Sequence, residues 1–129
     1  MLGLPRGTVA LYPHETEWEE EAARTIAALR DILGDAAGDM QHVGSTAIRS
    51  IMAKPIVDIA VAVSSFANIN EKQSELEAQG FYRRSWNDDR EELFACGSHY
   101  DGTGDRQTHF IHVVLYNSLE WNNYLNFRD

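Results

Sequence analysis

One carboxylate stands inside the most apolar segment of this chain. Asp58 interrupts Ile56-Val57-Asp58-Ile59-Ala60-Val61-Ala62-Val63. Burying an ionised carboxylate costs several kcal/mol unless it is paired, bound to a metal or held at a strand mouth. Strand alternation places Asp58 on the face of Ile56, Ala60 and Ala62, whose small side chains leave room for a ligand. Asp58 is therefore either a site carboxylate or a structural acid bonded to Lys54, Arg49 or backbone amides. Upstream, His42-Val43-Gly44-Ser45-Thr46 closes a strand on a turn of small residues. Glycine admits close backbone approach, and turn amides beside two hydroxyls suit a phosphate. Gly44, Ser45 and Thr46, with Lys54, form the candidate phosphate-binding set. Downstream, His109 and His112 lie three apart on one strand and so point to opposite faces. His112, on the face of Thr108, Phe110 and Val114, is the one expected to meet Asp58. Asp58, His42 and His112 are the candidate catalytic groups, with Asp58 and His112 as candidate metal ligands. A zinc site from His42, His109 and His112 is a competing arrangement, although no pair has helical ligand spacing. Cys96, at a strand end, reads as a buried inert thiol. No P-loop, dinucleotide fingerprint or nucleophile elbow is present.

The elements that must position these groups follow from periodicity. Trp18, Ala22, Ile26, Leu29 and Leu33 form one apolar stripe, which predicts a helix over 16–33 with a Thr16/Glu19 capping box and Gly34 as its stop. Met40–Val43 reads as a strand, and 47–53 as a short helix or loop. Residues 56–63 are β-branched and almost uniformly apolar, hence a strand buried on both faces. A helix is expected over 66–79. A hairpin of 81–86 and 91–96 should turn at Asn87-Asp88-Asp89-Arg90. Residues 97–106 read as a polar, Gly-rich loop, 108–115 as a strand, and Ser118 as the cap of a last helix. One strand–helix–strand crossover followed by a meander points to an α+β fold, a mixed β-sheet with helices packed on it.

Composition narrows the function classes. The chain has 129 residues, with 11 basic and 20 acidic side chains and a net charge of −9. It is expected to form one domain, 1–129, with a folded surface of roughly 6,900 Å². Nucleic acid as a broad partner and anionic membrane surfaces are disfavoured, because both need clustered cations. A small anionic ligand is compatible, since a few local cations or a metal ion can hold one. One cysteine, no long apolar run and no leader-like start suggest a cytoplasmic protein.

Several blocks together resemble the GrpB family, placed in the nucleotidyltransferase superfamily. They are Tyr12-Pro13 with Trp18, His42-Val43-Gly44-Ser45-Thr46-Ala47, Ala53-Lys54-Pro55-Ile56-Val57-Asp58-Ile59, Thr108-His109-Phe110-Ile111-His112-Val113-Val114, and Glu120-Trp121 with Phe127-Arg128-Asp129. The resemblance implies a nucleotidyltransferase-like fold. It also implies that Gly44 and Ser45 contact the phosphate of a nucleotide or other small phosphorylated ligand, and that Asp58 holds a divalent metal (Mg²⁺, Mn²⁺ or Zn²⁺). The superfamily usually carries a second Asp two residues later; this chain has Ala60 there, which breaks the acidic pair. His42 and His112 would then complete a softer site, with Glu92 as a third acid and Arg49 as an added phosphate contact or a surface residue. Two functions compete: a nucleotidyltransferase-like enzyme with an unknown acceptor, and a non-catalytic nucleotide- or metal-binding accessory module. Members usually continue past Phe-Arg-Asp into a basic helical tail. Either this member is short or the sequence is truncated at Asp129, and truncation would leave an apolar face that a homodimer could cover.

Overall fold

The computed structural model describes residues 2–5, 7, 10–84 and 90–126. In chain order the elements are β1 (Leu4–Pro5), α1 (Thr16–Leu33), β2 (Asp39–Val43), β3 (Val57–Val63), α2 (Phe66–Asn70) and α3 (Gln73–Ala78). They continue with β4 (Tyr82–Arg84), β5 (Glu91–Cys96), α4 (Ser98–Asp101), β6 (Arg106–Gln107), β7 (His109–Leu115) and α5 (Leu119–Asn126). Five strands form one sheet in the order β2-β3-β7-β5-β4, while β1 and β6 pair separately. β3 and β7 run parallel and the other neighbours antiparallel, so the sheet is mixed, as expected. The long crossover from β3 to β7 carries α2, α3, the β4–β5 hairpin and α4.

β3 lies between β2 and β7, and alternation sends its side chains to two different cores. Val57, Ile59, Val61 and Val63 face a layer made by α1, α2 and α3, centred on the fully buried Trp18 and Leu29. Ala60 and Ala62 face α5, which seals them with Trp121. The small residues on this second face let α5 pack close to the sheet. Ser118 caps α5 as expected, its hydroxyl accepting from the Trp121 amide at 3.1 Å. The accessible surface, 6916 Å², matches the value expected from chain length. Among the described residues no helix is long and apolar enough to cross a membrane.

Three local expectations change. Glu15, not Thr16, stands at the N-cap of α1, without a side-chain cap; the acids of the first turn still suit the helix dipole. The helix expected over 66–79 is two short ones. Asn68 and Asn70 are weak helix formers, and a tight bond from the Lys72 amide to the Ile69 carbonyl breaks the run. The loop expected over 97–106 contains α4 and the first residue of β6, whereas 47–53, expected as a short helix or loop, is a loop that follows a 3₁₀ turn over Ser45–Ala47. The hairpin turn at Asn87-Asp88-Asp89 and the terminal Phe127-Arg128-Asp129 lie outside the described residues.

Candidate functional site

The register of the sheet decides which candidates can meet. Asp58 pairs with Val43 on β2 and Phe110 on β7, and His112 pairs with Ala60 and with Leu93. Paired residues share a face. Asp58, Phe110 and His112 therefore stand together on the α5 side, with Glu91 one step along β5. The His112 ring lies between two acids. Its Nε2 donates to Asp58 Oδ1 at 2.8 Å, and its Nδ1 faces Glu91 Oε2 at 3.5 Å and the Tyr124 hydroxyl at 3.1 Å. Tyr124, from α5, donates in turn to Glu91 Oε1. Burial disfavours a charged imidazole, but the hydrogen bonds to Asp58 and Glu91 outweigh it and raise the His112 pKa to about 9. At neutral pH this is an imidazolium held between two carboxylates. Glu91 and Tyr124 are not legible as site residues: β5 is apolar on both faces, with Leu93 and Ala95 on one and Phe94 on the other, so the sequence marks neither Glu91 nor Glu92 as the inward acid.

Gly44 fits against Asp58 for two reasons. Its φ is +74°, and an added Cβ would stand 2.9 Å from Asp58 Oδ2. Glycine alone tolerates both. Next to it, the segment before β3 is tied down by a two-way backbone pairing of Tyr12 with Ala53 and by a tight Ile56-to-Lys54 bond around Pro55. A cleft of about 380 Å³ opens here, lined by Ser45, Lys54, Asp58 and Phe110, with the exposed apolar Leu11 and Met52 among its other walls. Lys54 is exposed and has no ion-pair partner among the described residues.

Other candidates lie elsewhere. His42 pairs with Ile59 and so faces the α1 side, away from Asp58. Its Nε2 shares a 2.8 Å hydrogen bond with Thr46 Oγ1, and burial lowers its pKa. Thr46 is buried and occupied by that bond, so it is a structural partner rather than a phosphate contact. His109 also faces the α1 side, so the histidines do not form the competing zinc arrangement with His112. Glu92 pairs with Arg83 at 2.9 Å on the far side of the hairpin. Arg49 is engaged by Glu19 at 2.6 and 3.1 Å. Burial pushes the Cys96 thiol up to about 12, which agrees with an inert cysteine.

The donor set does not make a ready metal cage. Asp58 and His112 are partners of each other, and a protonated imidazole has no lone pair for a metal. Among the described residues no group of three or more His, Cys, Asp or Glu side chains is arranged to hold an ion.

The GrpB protein family model matches residues 8–129. The chain belongs to the GrpB family. Glutamate-rich protein GrpB of Alkalihalophilus pseudofirmus is 37% identical over all of this chain and 74% of its own length. A dephospho-CoA kinase of Mycolicibacterium paratuberculosis is 35% identical over 62% of this chain and 20% of its own. The chain thus spans from a fifth to three-quarters of the lengths of these relatives. The structure of GrpB from Enterococcus faecalis superposes with a TM-score of 0.82 at 23% identity, over 92% of this chain and 70% of that one. A structure of Cid1 with the UTP analogue UMPNPP gives 0.55 at 19% identity, over 90% and 35%. The GrpB chain therefore has a nucleotidyltransferase-like fold.

Proposed function

We propose that this GrpB-family protein binds a nucleotide or other small phosphorylated ligand in the Ser45–Lys54–Asp58 cleft, as an accessory binding module rather than a transferase. The observation that carries this reading is the cleft itself. It gathers a hydroxyl, a cation without an ion-pair partner among the described residues and a carboxylate from separate segments, beside Gly44, on a nucleotidyltransferase-like scaffold. Lys54 supplies the charge for phosphate, Ser45 donates a hydrogen bond, and Leu11 and Met52 cover the apolar body of the ligand. Two features favour binding over turnover. Ala60 leaves Asp58 without a second carboxylate on its own strand, and His112 already neutralises Asp58. Phosphoryl transfer needs charge held firmly at the phosphates.

The enzymatic reading is kept by Asp58 lining the same cleft. In that case a divalent ion (Mg²⁺, Mn²⁺ or Zn²⁺) arrives with the nucleotide and uses Asp58 as its protein ligand. Thermal shift with nucleoside triphosphates, with and without each ion, separates the two on wild type, Lys54→Met and Asp58→Asn. A shift without metal that Lys54→Met removes supports binding. A shift that requires metal and disappears in Asp58→Asn supports the transferase. No shift under any condition overturns both.

A further inference from the structure

Four large apolar side chains line the cleft beside Asp58, and none of them belongs to either core: Leu11, Met52, Ile56 and Phe110. Phe110 is the unusual one. It stands on β7, a strand inside the sheet, and is nevertheless only half-buried. The reach of α5 explains this. It covers Ala60, Ala62 and Val114 and leaves the paired Asp58 and Phe110, at the start of their strands, to the cleft. An aromatic ring held out of the core forgoes its burial free energy unless something planar covers it. Its aromatic neighbour among the described residues, His112, is tilted by 45° at 6.5 Å between centroids and does not stack on it.

The polar groups at this apolar end are already engaged. The Ala53 amide and carbonyl both pair with Tyr12, at 2.9 Å each, and the Lys54 carbonyl accepts from the Ile56 amide at 2.8 Å. Gln107 Nε2 donates to the Tyr100 hydroxyl at 2.7 Å, which leaves one end of that side-chain amide for a ligand. One such group cannot tell bases apart, because every base carries both an N–H donor and a ring or carbonyl acceptor. Discrimination needs at least a bidentate pairing. Ser45, Lys54 and Asp58 lie at the other end of the lining, beside Gly44.

We propose that a nucleotide lays the face of its base on Phe110, opposite Leu11 and Met52, and that the cleft leaves the edge of the base unread. Phe110 thereby selects nucleotides over bare polyphosphate without selecting among adenine, guanine, cytosine and uracil. This rests on the phosphorylated-ligand reading of the cleft. Its test is calorimetric titration of ATP, GTP, CTP and UTP, with inorganic tripolyphosphate as the reference that has the charge but no base. Each is run with and without Mg²⁺ on wild type, Lys54→Met, Phe110→Leu and Phe110→Ala. The four nucleotides should bind within about threefold of one another, and each about tenfold or more tighter than tripolyphosphate, the scale of one base–aromatic stack. Phe110→Leu keeps an apolar side chain of similar reach and should still bring the nucleotides down towards tripolyphosphate, whose own affinity stays unchanged. Phe110→Ala should do so fully. A preference above about tenfold for one base overturns the proposal, as do nucleotide affinities that both Phe110 variants retain. Tripolyphosphate binding as tightly as the nucleotides, with Lys54→Met weakening all of them, also overturns it but leaves the phosphate reading standing. No binding by any of the five overturns both.

Discussion

Raising the pH from 6 to 9.5, a span chosen to bracket the titration of His112, should cost this protein a measurable part of its stability. The ring is protonated in the folded state up to about pH 9, against an ordinary value of 6.5. A base whose pKa rises on folding contributes fully below the unfolded value, and the contribution is lost as pH rises through the folded one. The window is therefore 6.5 to about 9. At about 1.4 kcal/mol per pH unit, the gap is worth roughly 3 kcal/mol. The ring is only 16% exposed, so solvent screening removes little of this. Urea denaturation of wild type and His112→Gln across the window isolates the effect. The other shifted histidines, His42 and His109, move downward and titrate on the acid side. The stability difference between the two proteins should be largest below pH 6.5 and shrink by about 3 kcal/mol towards pH 9. Asp58→Asn should move the ring's own NMR titration back towards its ordinary value. A wild-type ring that titrates at or below 6.5, or a difference that is flat across the window, refutes the imidazolium reading.

Gly44→Ala forces a side chain into a positive-φ position and against Asp58, so it should cost about 1–3 kcal/mol from backbone strain alone by chemical denaturation. It should also abolish any nucleotide-dependent thermal shift. Thr46→Val leaves the half-buried His42 ring without its hydrogen-bond partner and should destabilise by about 1–3 kcal/mol, whereas Ser45→Ala should stay within about 0.5 kcal/mol while weakening ligand binding. Tyr124→Phe takes a hydroxyl from both Glu91 and His112 and should cost about 1–2 kcal/mol, read in the same denaturation assay.

The strands and their faces were legible because burial on a sheet obeys a period of two. That period places Asp58 with Ala60 and Ala62 and separates His109 from His112; the choice of His112 as the partner of Asp58 goes beyond it, and the structure brings those two together. The same rule, applied one strand further, would have separated His42 from Asp58. In sequence the strand reads only from Met40 to Val43, with no pairing partner to fix its register. Thr46 departs from its expected phosphate role for a different reason. A threonine in a turn looks like a free hydroxyl in sequence, and only the fold shows that the 3₁₀ turn buries it under His42. Glu91 and Glu92 are adjacent acids with identical local chemistry. Which one reaches His112 depends on where β5 pairs with β7, a contact between distant parts of the chain.

The buried Glu91 and the half-buried Asp58 also explain how the site keeps its shape. Asp58 and Glu91 on one sheet face would repel each other, and each would be costly to bury ionised. The imidazolium of His112 resolves both problems, and Tyr124 fixes its far side. The arrangement is a closed polar network sealed by α5, so most of its charge is spent internally. What remains for a ligand is the mouth: Lys54, Ser45 and the edge of Asp58. A divalent ion entering at Asp58 would have to displace the His112 hydrogen bond or share the carboxylate with it. Replacing His112 with Gln should therefore strengthen any metal binding by removing a competing positive charge. Calorimetric titration of Mn²⁺ into both proteins tests this. Equal or weaker binding in His112→Gln would mean that the ring serves the metal rather than excluding it.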